Sequence, residues 1–300
     1  MILSASRRTD IPCYYREWLI NRLRAGFVLT RNPMNHAQLS RIPLTPDVVD
    51  CIVFWTKDAA NIIPHLKIIG EMSYKYYFQF TLNPYGRVLE KNLRNKSDIE
   101  NTFIELSRMI GKERVLWRYD PIILNDMIDV DYHKNQFLRL CDRLAPFTES
   151  VTISFVDTYA KLKTSFIREI SYDEIAELGA FIGETAKNHG LKVNACCERV
   201  DLSVFGIEKA SCIDKATLER VCGRVLDIAA DRNQREGCGC MESVDIGAYN
   251  TCLNGCVYCY ANNSNETILR RHDSHDPKAE LLIGNVAENE KISERKIKIH

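Results

Sequence analysis

The sequence predicts an α/β protein, a partial TIM-type barrel of six or seven βα units. Short apolar runs alternate with amphipathic stretches along most of the chain. The apolar runs lack strict in–out alternation, as strands buried on both faces do. Length agrees: 300 residues at 45% hydrophobic content can fill the core of one such domain.

Strands are expected at 1–5, 51–55, 76–82, 115–118, 151–155, 192–195 and, on a weaker pattern, 244–248. Helices are expected at 14–24, 59–69, 97–110, 132–144, 172–189 and 215–230. In 172–189, Ile175, Leu178, Phe181, Ile182 and Ala186 recur at helical spacing and mark one buried face. The alternation breaks at 27–44, which reads as a hairpin insertion on the barrel rim with Asn32-Pro33 at its turn. One domain is expected over 1–275, with a cysteine-bearing loop near 238–260. The Lys- and Glu-rich stretch 276–300 is expected as a peripheral tail.

Lysine plus arginine and aspartate plus glutamate both number 40, so no basic surplus exists to neutralise phosphates, and nucleic acid is not the favoured partner. The N-terminal residues M-I-L-S-A-S-R-R do not form a secretory signal, and no apolar run approaches a membrane span. The expected compartment is the cytoplasm, where 12 cysteines point to metal binding rather than disulfides.

Cys252, Cys256 and Cys259 stand in T-C-L-N-G-C-V-Y-C-Y-A, spaced C-x3-C-x2-C. Random placement of 12 cysteines would produce that spacing about 0.02 times per chain. Three thiolates on one loop can hold a four-iron cubane and leave one iron open to a small molecule. Half of a structural zinc site, or a disulfide framework, are the other readings of the same spacing. The run closely resembles the [4Fe–4S]-binding signature of radical S-adenosylmethionine (SAM) enzymes, which place it near the start of the chain. Here it follows the last predicted strand. The resemblance therefore implies a circularly permuted radical-SAM-like barrel, with the strand at 244–248 beside that at 1–5; chain termini that lie close together tolerate such a permutation.

Chemistry in parallel barrels gathers at the carboxyl ends of strands. Those ends carry Ser4 to Asp10, Trp55, Thr56 and Lys57, Gln79, Thr81 and Asn83, Arg118 and Asp120, Ser154, Asp157 and Tyr159, then Asn194 and Glu198. If SAM binds, its carboxylate calls for a guanidinium fork, for which Arg7, Arg8 and Arg118 are candidates. Asp10, Asn83, Asp157 and Glu198 are candidates for its ribose hydroxyls and amino group. Asp120 joins the catalytic candidates by position, and Tyr258, just before Cys259, the cofactor-binding ones. Asp10 could instead cap a helix and Asp120 shape a turn. Radical-SAM enzymes often carry Gly-Gly-Glu after the second strand; S-R-R-T-D holds that place here.

A second set, Cys197, Cys212, Cys238 and Cys240, could ligate a closed second iron–sulfur cluster or a zinc ion, or pack unligated. Cys13, Cys51, Cys141 and Cys222 lie in apolar patterns and are expected in the core.

Together S-R-R-T-D-I-P, F-W-T-K, R-Y-D-P and C-G-C…D-I-G-A-Y-N-T-C-L-N-G-C-V-Y-C-Y-A resemble an uncharacterised bacterial family. Its C-terminal cysteine cluster is similar to the N-terminal one of radical-SAM proteins. R-Y-D-P-I is also similar to a stretch of spore photoproduct lyase-like enzymes. The resemblance implies an enzyme that cleaves SAM reductively and directs the resulting radical at a substrate, fed by a reductant such as flavodoxin or ferredoxin. The competing reading is a non-enzymatic iron–sulfur electron carrier or zinc-stabilised binding protein.

Overall fold

The computed structural model describes residues 1–156, 166–198, 200–209, 211–234 and 237–298. Eight strands form one sheet: β1 (Ile2–Ala5), β4 (Cys51–Thr56), β5 (Tyr76–Thr81), β6 (Val115–Ile122), β7 (Ser150–Phe155), β8 (Lys192–Ala195), β9 (Ile207–Lys209) and β10 (Val244–Asp245). They run β10-β1-β4-β5-β6-β7-β8-β9, and every neighbouring pair is parallel. The α/β class and the parallel sheet are as expected. Eight strands stand where six or seven were expected, the additional one being β9, too short to show a pattern in the sequence. No pairing joins β9 to β10 among the described residues, so the sheet does not close into a barrel.

The last strand of this sheet in chain order lies beside the first, Leu3 opposite Val244 and Ser4 opposite Asp245. It is only two residues long because Asp245 turns its carboxylate back to accept from the Gly247 amide at 2.9 Å, and extended pairing stops there.

Alternate residues divide the sheet into two faces. Leu3, Ile52, Phe54, Phe78, Phe80, Trp117 and Ile153 pack into the main core under the helices. Those helices include α4 (Lys96–Ile110), α5 (Val130–Leu144) and α6 (Tyr172–Asn188), which supply Phe103, Phe137 and Ile182 to that core. Ile2, Val53 and Tyr77 face the other way, against a second cluster that contains Ile213, Leu218, Leu226 and Ile228. A segment from the chain's last third thus covers the face that a closed barrel would seal with its own strands.

Several boundaries differ from expectation for local reasons. The helix expected at 14–24 is two, α1 (Ile11–Tyr14) and α2 (Arg16–Ala25), since Asp10 caps Cys13 and starts the chain turning early. In 59–69 only α3 (Leu66–Glu71) is α-helical, because Pro64 has no amide hydrogen and sits in a 3₁₀ turn. The segment 215–230 yields only α7 (Lys215–Cys222), which Gly223 ends in the left-handed region at φ 70°. Helix α8 (Asn265–Asp273), capped by Ser264, was not anticipated.

The hairpin at 27–44 is present as β2 (Phe27–Arg31) and β3 (Leu39–Pro43), antiparallel. Asn32 Oδ1 shapes its turn by accepting from the amides of Met34 (2.9 Å) and Asn35 (3.3 Å). Beyond residue 275 the chain runs back along α2, where Trp18 Nε1 donates to Ala279 O at 3.0 Å. Leu281 and Leu282 are buried, and β11 (Ile292–Glu294) pairs with β3. No helix among the described residues is long and apolar enough to cross a membrane.

His133, fully buried on α5, accepts from Tyr119 Oη at 2.7 Å through Nδ1 and donates from Nε2 to Ile123 O at 2.9 Å. Burial pushes its pKa down to about 4. The unfolded chain therefore takes up a proton near the ordinary pKa of 6.5 that the folded one refuses until about 4. Stability is full above about pH 6.5 and should fall by roughly 3 kcal/mol as pH drops toward 4. Urea titrations of the wild type and of His133→Gln across that range check this: the difference in slope should vanish above pH 7.

Candidate functional site

All the parallel strands deliver their carboxyl ends to one edge, and there the chain leaves a cavity of about 1300 Å³. Cys252, Cys256 and Cys259 line it, together with Arg7, Arg8, Asp10, Arg118, Asp120 and Tyr258. Residues from both ends of the sequence and from its middle meet in this space.

The cysteine loop is held by its backbone. Tyr15 Oη donates to Thr251 O at 2.7 Å, Asn92 Nδ2 to Leu253 O at 2.7 Å, and Asn262 Nδ2 to Cys252 O at 2.8 Å. The Val257 amide donates to Leu89 O at 3.0 Å. Gly255, at φ 67°, makes the left-handed turn before Cys256, and a Cβ there would come within 3.0 Å of Asn92 Nδ2. Thus the x3 spacer is a built turn, not a slack linker.

Asp10 ties this loop to the sheet. Its Oδ1 accepts from the Cys13 amide at 3.1 Å, and its Oδ2 from the Lys57 amide at 2.8 Å and Asn254 Nδ2 at 3.1 Å. Tyr14 Oη donates to the other side of the Asn254 amide at 2.8 Å. Burial lifts the Asp10 pKa to about 6 even though these donors favour the carboxylate. The helix-capping role weighed for Asp10 is the one it performs, with the loop anchor added.

Around Cys256 the charges are arranged unevenly. Glu90, fully buried in the loop after β5, accepts from Lys57 Nζ at 2.8 Å and pairs closely with Lys96 and the Tyr258 hydroxyl. Lys57 Nζ also donates to Tyr258 Oη at 3.0 Å. Burial opposes both charges, but the two lysines hold Glu90 below its usual range, and Glu90 holds Lys57 above its own. One acid between two bases leaves a cationic surplus beside Cys256, although burial holds Lys96 below its usual range. Burial raises all three thiols, Cys256 to about 12, so with no cation present they are protonated. A bound metal centre would take them as thiolates, and the lysines would offset its negative charge.

Asn83 Nδ2 donates to Asp120 O at 2.8 Å and Tyr258 Oη at 3.3 Å, and its Oδ1 accepts from the Asp120 amide at 2.8 Å. The Asp120 carboxylate pairs closely with Arg118 and with the Ser154 hydroxyl. Glu198 accepts from the Phe155 amide at 2.9 Å. Arg8 lies over the Tyr249 ring at 5.2 Å, and Arg7 over the Trp55 ring at 5.0 Å. Arg7 Nη2 is buried without a hydrogen-bond partner, while its own backbone is fixed by Asp245 and Tyr260. Asp157 lies outside the described residues.

In the second set, the sulfur of Cys212 lies 3.0 Å from that of Cys196, the neighbour of Cys197, and both Cys196 and Cys197 line the cavity. Just beyond the end of β8, Cys196 is buried while Cys197, in the left-handed region at φ 56°, is half-buried. Cys240 accepts from the Ile213 amide at 3.4 Å, and Cys238 lines the same cavity. Cys13, Cys51 and Cys141 are buried as expected; Cys222 is half-buried. Among the described residues, no three metal-ligating side chains already surround one point.

Two participants had no signal in the sequence. Glu90 and Lys96 sit in an ordinary charged stretch, L-E-K-N-L-R-N-K, and only the folded path of 82–95 brings them to Cys256. Trp55 and Lys57 do stand at a strand end, in F-W-T-K, which marked them as cavity residues without a role.

Removing the Asp10 carboxylate by Asp10→Ala leaves three buried donors unpaired. Unfolding free energy should fall by about 3 kcal/mol. Amide exchange at 251–257 should accelerate more than in α4 or α5, read by hydrogen exchange on the whole chain.

One solved structure, assigned as an α-L-fucosidase from Bacteroides thetaiotaomicron VPI-5482, matches at 11% identity over 59% of this chain and 74% of that one, with a TM-score of 0.28. So low a score carries no argument about fold or activity. No curated protein matches the chain. A family model described as a domain of unknown function, DUF1848, matches residues 2–261, which takes in the sheet, Arg7 to Asp10 and every cysteine of both sets. The chain belongs to the DUF1848 family.

Proposed function

We propose that the protein is an iron–sulfur enzyme of radical-SAM type. The observation that carries this reading is one cavity bordered by the C-x3-C-x2-C loop and by Arg7, whose buried Nη2 has no partner. Cys252, Cys256 and Cys259 would hold a [4Fe–4S] cluster, and the cluster's remaining iron would take the amino-acid end of SAM. When bound, these groups supply a one-electron cleavage of SAM and a carbon radical that abstracts hydrogen from a substrate.

The chain's own residues bind, orient and balance charge. Arg7 offers a donor for the SAM carboxylate, held in place by its stack on Trp55. Asp10, through Asn254, keeps the cysteine loop seated against the sheet. Lys57 and Lys96 supply positive charge beside Cys256. Tyr258, fixed by Glu90, Lys57 and Asn83, presents a rigid ring toward the cavity. Arg118 and Asp120 are paired with each other, which favours a positioning role for them.

The strand order supports a circularly permuted partial barrel. The strand before the cysteine loop comes last among the strands of its sheet yet lies outside β1, where a first strand would stand. A cytoplasmic enzyme reduced by a flavodoxin or ferredoxin accords with this chemistry.

Protein purified without oxygen should contain about four iron and four sulfide per chain and, once reduced, give a cubane EPR signal that changes when SAM is added. Cys256→Ala should lose the signal and at least 100-fold of SAM cleavage, measured as 5′-deoxyadenosine released. A cluster indifferent to SAM, or cleavage that survives Cys256→Ala, would overturn the proposal and leave an electron carrier or a zinc-stabilised protein.

A further inference from the structure

We infer that Arg87, Val88 and Lys91 form the docking surface for a small acidic protein that delivers single electrons to the cysteine loop. This inference rests on the proposed iron–sulfur reading of Cys252, Cys256 and Cys259, and it adds the place where the electron enters.

The segment 86–92 lies directly against the cysteine loop. The Val257 amide donates to Leu89 O at 3.0 Å, the Asn92 amide to Asn254 O at 3.2 Å, and Asn92 Nδ2 to Leu253 O at 2.7 Å. A turn sorts the side chains of this segment. Gly86 O accepts from the amides of Leu89 at 3.1 Å and Glu90 at 3.0 Å, and both of those residues are buried. Arg87, Val88 and Lys91 are left in solvent, Val88 at 66% exposure. A partner seated on them is one chain segment away from Cys256. None of the three lines the large cavity, whereas Cys256 does, so docking here leaves the cavity mouth open to SAM and substrate.

Charge selects the partner. The acids nearby are already engaged, Glu90 by Lys57 and Lys96 and Asp58 by Arg94. Asp98, the other acid of 86–98, interacts with Arg94. Arg87 and Lys91 have no ion-pair partner among the described residues. Exposed cations beside an apolar side chain attract an acidic surface and give it a contact that excludes water. Such steering speeds encounter without demanding tight binding, which suits the small, short-lived complexes of electron carriers. In the step itself the carrier is oxidised by one electron and the centre on the cysteines is reduced by one, with no bond made or broken. A nucleic-acid strand would ask for a longer cationic track and for aromatic faces on which bases stack, and the exposed apolar residue here is a valine.

The test measures the affinity of a flavodoxin for the full chain, a readout that needs no turnover. At about 20 mM salt, Arg87→Glu combined with Lys91→Glu should weaken binding about tenfold. The charge-matched control, Lys187→Glu with Lys192→Glu at the amino end of the sheet, should leave it unchanged. Raising salt to about 200 mM should weaken wild-type binding far more than that of the Arg87/Lys91 variant. In protein that carries iron and sulfide, reduction by flavodoxin should slow about tenfold in that variant while reduction by dithionite keeps its rate. Equal binding by variant and wild type, an equal loss in the control, or a surface that binds a single-stranded oligonucleotide and not flavodoxin would overturn the docking surface. Purified chain without iron and sulfide would instead overturn the iron–sulfur reading, a failure seen in metal analysis and not in the binding measurement.

Discussion

The site depends on one buried carboxylate. Asp10 is the point at which the end of β1, the end of β4 and the cysteine loop are joined, through hydrogen bonds to Cys13, Lys57 and Asn254. Each donor would be left unpaired in a water-poor interior without it, so the three segments are bound to one another by the cost of separating them. That cost acts across 244 residues of sequence between Asp10 and Asn254. The loop of three cysteines is seated against its neighbours because its backbone carbonyls find their partners there.

Charge around the cavity follows the same logic. Glu90 tolerates full burial because two lysines and a tyrosine hydroxyl contact it, and those lysines tolerate burial because of Glu90. Such a network would gain little stability over apolar packing. What it provides is a cationic field fixed beside Cys256 and a tyrosine ring that cannot swing away. Arg118 plays the corresponding part on the far wall, paired with Asp120 and turned toward Cys212.

The two cysteine groups reach the cavity by different routes. The C-terminal three come from one loop whose backbone carbonyls are held by Asn92 and Asn262. In the second group Cys196 and Cys212 touch, although one precedes β9 in the chain and the other follows it.

Much of this was legible from the residues alone. Apolar runs alternating with amphipathic ones determine a parallel α/β sheet, because strands covered on both faces must be apolar throughout. The C-x3-C-x2-C spacing determines that three thiols share one loop, since eight residues cannot place them far apart. Asp10 was readable as a cap from its place before Ile11-Pro12. Which of Cys196 and Cys197 is the more buried was not, as adjacent residues carry the same local signal and the turn at Cys197 comes only with the fold. Nor was the role of Glu90, or the covering of the sheet's second face by 211–241 in place of barrel closure. Those features come from burial and from hydrogen bonds between residues far apart in the chain, and a linear pattern records what a segment prefers but not which distant segment it meets.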